Sequence, residues 1–160
     1  MTLFRSTALV WLWLVALVLG LDLVTKTLAD DLLPYGVPHP QLPVFDLTLL
    51  YNKGAAFSFL ADAGGWQRWF FTAVAVGMSS VLLVWMYRTP RNQVWLGSAL
   101  ALVMAGALGN LFDRVVYGHV IDFLSFHYQN KYFPAFNFAD VAISCGAFML
   151  IVDMFRQESK

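Results

Sequence analysis

Four apolar stretches dominate the chain, and they leave few folds open to it. A hydrocarbon core about 30 Å thick needs roughly 20 mostly apolar residues per helix. Residues 7–28, 69–87, 94–112 and 138–155 each come close to that length. Composition agrees, with 59% hydrophobic and 12% charged residues, against roughly 45–50% and about 25% in soluble domains. Mean hydropathy is +0.64. These features indicate an all-α integral membrane protein with four transmembrane helices in a single domain, 1–160. A formal net charge of zero gives nucleic acid no electrostatic footprint to bind.

The ends of the stretches are marked by aromatic residues. Trp11, Trp13, Trp85, Tyr87 and Trp95 fall at one set of ends, and Trp66, Trp69 and Tyr117 at the other, as in interfacial aromatic belts. Arg5 before an apolar run could signal a cleavable leader, but no small-x-small site follows, so the first stretch is expected to remain as a span. Arg5, Arg88, Arg91, Arg156 and Lys160 lie in the two tails and the short 88–93 loop. Basic residues in short segments stay in the cytoplasm, which places both termini there and the two long connections outside.

Each long connection has a character of its own. Residues 32–43, rich in Pro and Gly, read as loop. Residues 44–60 alternate in part and favour β structure, which predicts one or two strands. V-I-D-F-L-S-F-H-Y, starting at Val120, mixes apolar and polar residues and is expected to lie along the membrane surface. Cys145 falls inside an apolar run and is expected to be a small buried hydrophobe.

The chemistry is concentrated at the outer ends of the spans. Asp22 and Lys26 are four apart, hence on one helix face, and Asn110, Asp113 and Arg114 share a face of the third span. Asn137 and Asp140 open the fourth. A charge well inside a span costs at least about 2.5–3.5 kcal/mol, which makes such residues functional candidates. Plainer roles exist: Asp22 with Lys26 could be a helix-end ion pair, Asp113 with Arg114 an interfacial one, and Asn137 with Asp140 an N-cap. Asp122 has the weakest structural excuse, since His119 is its nearest basic neighbour in sequence. His39, His119, His127 and Cys145 lack metal-ligand spacing, so neither a metal nor another cofactor is expected. No Ser–His pairing stands out, which leaves a carboxylate dyad as the hydrolytic option. Two such groups about 3 Å apart share one proton. The helix N-terminus at Asp140 favours its ionised form, leaving Asp122 as the proton holder.

In order, D-L-V-T-K from Asp22, N-K-G-A-A-F-S from Asn52, G-A-L-G-N-L-F-D-R from Gly106, G-H-V-I-D-F from Gly118 and F-N-F-A-D from Phe136 closely resemble the motifs of lipoprotein signal peptidases. The resemblance covers nearly the whole chain. It implies an aspartic endopeptidase of the bacterial inner membrane that cuts prolipoproteins before a diacylglyceryl-modified cysteine. It implies Asp122 and Asp140 as the catalytic pair, with Asn52, Gly54, Asn110, Asp113, Arg114, Asn137, Asp22 and Lys26 binding substrate or supporting the site. It further implies a small periplasmic β-rich platform at 44–60 and a periplasmic interfacial segment, with 123–132 as a mobile cover. A monomer among membrane lipids is expected, with its active site at the periplasmic face. A transporter, a head-group transferase and a non-catalytic assembly subunit are the rival readings. Relay residues of transporters lie near the bilayer midplane, and no D-x-x-D repeat supports the second rival.

Overall fold

In a computed structural model, residues 6–54, 65–129 and 131–158 are described. A 3-10 turn, Ala8–Trp11, leads into helix α1 (Leu12–Leu32). Strands β1 (His39–Leu42) and β2 (Phe45–Asn52) follow, then α2 (Trp66–Arg88) and α3 (Val94–Val116). Strands β3 (Val120–Tyr128) and β4 (Lys131–Tyr132) precede α4 (Phe138–Glu158). All four helices are long and apolar enough to cross a membrane. Several run a turn past the expected ends: α1 continues through Asp30 and Asp31, whose charge marks a change of solvent and not the end of the helix.

α3 is the central helix. It is 56% buried in its most apolar window, against 17% for each of the others. Small residues make this possible. A Cβ on Gly106 would collide with the Ala139 carbonyl of α4 and lie 2.7 Å from Ile143. One on Gly146 would lie 2.8 Å from the Ala99 carbonyl oxygen. Between apolar helices in lipid there is little hydrophobic drive to associate, so this backbone approach and its packing hold α3 to α4. At the end away from the sheet, Ala8, Val15, Leu82, Met86, Leu96 and Leu100 form a packed apolar cluster. Ala8 N–H donates to the Thr89 carbonyl (2.8 Å) and Arg91 N–H to that of Ser6 (3.1 Å). Arg156 stacks over Trp95. Residues 6–8, Arg156 of α4 and the 88–93 loop therefore share one end of the bundle.

At the other end lies a four-stranded antiparallel sheet in the order β1-β2-β3-β4. Two expectations need correction. Residues 32–43 contain a strand, β1, as well as loop; Pro40 is tolerated there because an edge strand has one side with no ladder bonds to donate. Residues 120–128 do not form a separate interfacial segment. They are β3, an inner strand paired with β2 from Phe45↔Phe126 to Asn52↔Val120. A strand and a surface-lying segment share the same mixed composition, and the partner that decides between them comes from a distant part of the chain. Residues 123–128 of the expected cover thus belong to the sheet. Of the predicted 44–60 platform, β2 accounts for 45–52, and 55–60 lies outside the described residues.

The close packing predicts opposite outcomes for two glycine substitutions. Gly106→Ala should cost about 1–3 kcal/mol through overpacking, whereas Gly20→Ala, with nothing within 4 Å of the new Cβ, should be neutral or slightly stabilising. Thermal unfolding of both variants in detergent checks this.

Candidate active site

The first turn of α4 is built by a reciprocal cap. Asn137 Oδ1 accepts from Asp140 N–H (3.0 Å), and Asp140 Oδ2 accepts from Asn137 N–H (3.2 Å). Each satisfies a donor that a helix start leaves open. Asp140 is thereby held at the end of the helix, with its second oxygen, Oδ1, taking a hydrogen bond from Asn110 Nδ2 (2.8 Å). Capping and site-building are one arrangement here.

Asp122 comes from β3, and its two oxygens are also met by amides. Asn137 Nδ2 donates to Oδ1 (2.7 Å) and Asn52 Nδ2 to Oδ2 (3.1 Å). Asn52 is itself oriented, because its Oδ1 accepts from Gly54 N–H (3.0 Å). The Gly54 carbonyl in turn accepts from Arg114 Nη2 (3.4 Å), while Nη1 of the same guanidinium bonds the Asn110 carbonyl (3.1 Å). Arg114 thus ties the segment after β2 to α3. Burial, followed by the nearby Asp140 carboxylate, pushes the Asp122 carboxyl up to about 7, against the opposing pull of Asn52, Lys26 and Asn137.

Beneath these groups lies a buried ionic cluster. Lys26 Nζ pairs with Asp22 (2.8 Å) and Asp113 (2.9 Å) and donates to Asn110 Oδ1 (3.1 Å). All three charged side chains are essentially inaccessible. Asp22 Oδ1 accepts from Ala139 N–H (2.8 Å), and Asp113 Oδ2 from Ile121 N–H (3.1 Å). The two carboxylates therefore grip the backbone one residue ahead of Asp140 and of Asp122. Gly109 leaves the space that the Asp22 carboxylate fills. The plainer reading of Asp22 and Lys26 as an ion pair is correct but incomplete, since Asp113 shares the lysine. Asp113 takes Lys26 as its partner, and Arg114 turns to carbonyls.

Asp122 and Asp140 open on a cavity of about 1280 Å³ that Asn52, Gly54, Asn110 and Arg114 also line. All ten residues singled out in the sequence fall in or directly under this site. Ala55 to Ser58 of the second motif lie outside the described residues. Cys145 is corrected: it is exposed and lines the cavity, because α4 turns that face away from α3. Thr48 and Ser125 line it too and were not foreseen. Thr48, Leu50 and Asn52 fall at alternate positions of β2, but which face of the expected strand meets the cavity is settled only by the fold.

Two measurements test these electrostatics. Lys26→Met should lower unfolding stability by about 3–5 kcal/mol, the usual loss when one partner of a buried pair is removed, seen as a lower Tm in detergent. Between pH 3.8 and about 7 the folded chain keeps on Asp122 a proton that the unfolded chain releases. Stability from this group therefore falls as pH rises through that window, and Asp122→Asn should flatten the Tm-against-pH curve there.

Known proteins share this arrangement of helices and sheet. The family model described as "Signal peptidase (SPase) II" matches residues 14–156. A lipoprotein signal peptidase of Pseudomonas fluorescens is 55% identical over 156 residues, which cover 96% of this chain and 92% of that protein. One from Aeromonas hydrophila is 50% identical over 157 residues, covering 98% and 94%. A bacterial membrane enzyme solved by the in meso method superposes with a TM-score of 0.83 at 28% identity, covering 92% of this chain and 88% of its own. A second such structure gives 0.76 at 26% identity, with 89% and 90% covered. A family match over most of the length, joined to this fold, establishes that the chain belongs to the signal peptidase II family.

Proposed function

We propose that this chain is an endopeptidase that removes the signal peptide from diacylglyceryl-modified prolipoproteins, cutting just before the lipid-bearing cysteine. Asp122 and Asp140 act as the catalytic pair. The observation that carries this reading is the cavity with both carboxylates on it, each fixed by neutral amide donors and one raised to about 7. Such a pair holds one proton near neutral pH.

The chemistry follows from that shared proton. Asp140, at a helix N-terminus that favours negative charge, takes a proton from a water molecule as its oxygen attacks the scissile carbonyl carbon. Asp122 donates its proton to the carbonyl oxygen, which gives a neutral tetrahedral intermediate. As the C–N bond breaks, the proton on Asp140 passes to the departing amine of the cysteine. The new carboxyl group keeps the oxygen from water, and Asp122 recovers its proton. The three asparagines hold the carboxylates, Arg114 ties the segment after Asn52 to α3, and the reaction consumes only water.

Topology supports a placement. Lys and Arg in the tails and the 88–93 loop put that end of the bundle in the cytoplasm of a bacterial inner membrane. The sheet and the aspartates then face the periplasm, where the signal helix leaves the bilayer and the lipid chains can remain in it. One chain supplies both aspartates and the side chains that hold them, which supports reading the enzyme as a monomer.

A gel-shift cleavage assay with diacylglyceryl-modified prolipoprotein in detergent tests the assignment. Asp122→Asn and Asp140→Asn should each slow cleavage by at least about 10²-fold, with the protein still folded; variants that cut like the parent would falsify the dyad. In the parent, kcat/KM should fall as pH rises through about 7, where Asp122 loses its proton. A rate that stays level to pH 9 would remove Asp122 from the role of proton donor.

A further inference from the structure

The cavity has two walls of different chemistry. One is α4, a membrane-length helix, through Val141, Ser144 and Cys145. The other is the sheet, through Thr48, Leu50 and Asn52 of β2 and Ser125 of β3. Thr48 is 7% exposed, and its buried hydroxyl has no hydrogen-bond partner among the described residues. An unpaired buried hydroxyl is costly, and native structures rarely keep one without use. It stands at an irregularity as well. Between Leu47 and Leu50 β2 takes three steps while β3 takes two, from Leu124 to Asp122. Such bulges re-aim side chains and are frequent beside active sites.

Distance along the strand gives the hydroxyl a meaning. Asp122 stands opposite Leu50 in the β2–β3 register, and Thr48 is two residues back on the same strand. At about 3.3 Å per residue that is roughly 7 Å, or two residues of extended peptide. Of the two parts of a cleaved substrate, the signal helix belongs in the membrane beside α4. The part that leaves the membrane must run along the sheet. Resting on the proteolytic reading above, we propose that Thr48 is a positioning residue that hydrogen-bonds the substrate main chain about two residues beyond the cut, on the mature side. A hydroxyl both donates and accepts, which suits a peptide group of any sequence.

The test uses two diacylglyceryl lipopeptides, one with six residues after the modified cysteine and one that ends at that cysteine. Thr48→Val should lower kcat/KM on the long substrate by about 3–10-fold, the worth of one neutral hydrogen bond, mainly through KM. It should leave the short substrate unchanged, and Thr48→Ser should restore the parent value. In the parent, replacing the first or second amide beyond the cut by an ester should reproduce the loss, and it should add nothing in Thr48→Val. If Thr48→Val proves unstable, the serine variant and the ester series on the parent still decide. Equal losses on both substrates would make Thr48 a packing residue, and no loss on the long one would end the proposal. A loss that follows replacement of the lipid esters by ethers, and not of the peptide amides, would reassign the hydroxyl to the lipid. A parent that cuts neither substrate would bring down the proteolytic reading itself, an outcome distinct from a parent that cuts both equally well.

Discussion

A charge without water must find its counter-charge in the protein, and Lys26 is where that demand shapes this molecule. Its ammonium, at the end of a membrane-length helix, is met by Asp22 and Asp113. Those carboxylates would be intolerable there without it. Their remaining capacity is spent on backbone N–H groups of Ala139 and Ile121, neighbours of the two aspartates on the cavity. One buried cation thus fixes the separation of α1, α3, α4 and β3 at a single depth. Gly106 and Gly146 let α3 and α4 come close enough for the cluster to close.

Above the cluster the same kind of side chain is treated differently. Asp22 and Asp113 have a cation in contact; Asp122 and Asp140 have amides. An amide donor steadies a carboxylate without forcing it to stay charged, so burial and the mutual repulsion of the pair can keep a proton on Asp122 near neutral pH. Four acidic residues of one type fall into two classes by their partners. The division matches the general pattern in which environment pushes neighbouring carboxyl groups into separate roles.

Much of this was legible in the sequence because lipid is a demanding solvent. Span length, aromatic ends and basic tails follow from the bilayer alone, and a polar residue such as Asn110 in such a span stands out. Asn137 and Asp140 could be read as a cap from their spacing of three. The pairing of β3 with β2 could not be read, because alternation in V-I-D-F-L-S-F-H-Y fits a strand and a membrane-lying segment equally well. Nor could the sharing of Lys26 between Asp22 and Asp113, which requires two helices 84 residues apart to meet at Asn110. Cys145 was misjudged because hydropathy tells how greasy a helix is and not which face its neighbours cover.

The order of the strands has a consequence for how the molecule is made. β2 is synthesised early, but its partner β3 follows two further membrane helices, and Asn52 reaches Asp122 across 70 residues of chain. Until β3 emerges, β2 has an open edge of the kind that invites wrong pairing. Both aspartates arrive in the last third of the chain, after three helices are in place. A ribosome-bound fragment that ends before β3 therefore lacks both carboxylates of the cavity, and the site can form only when the last helix joins the bundle.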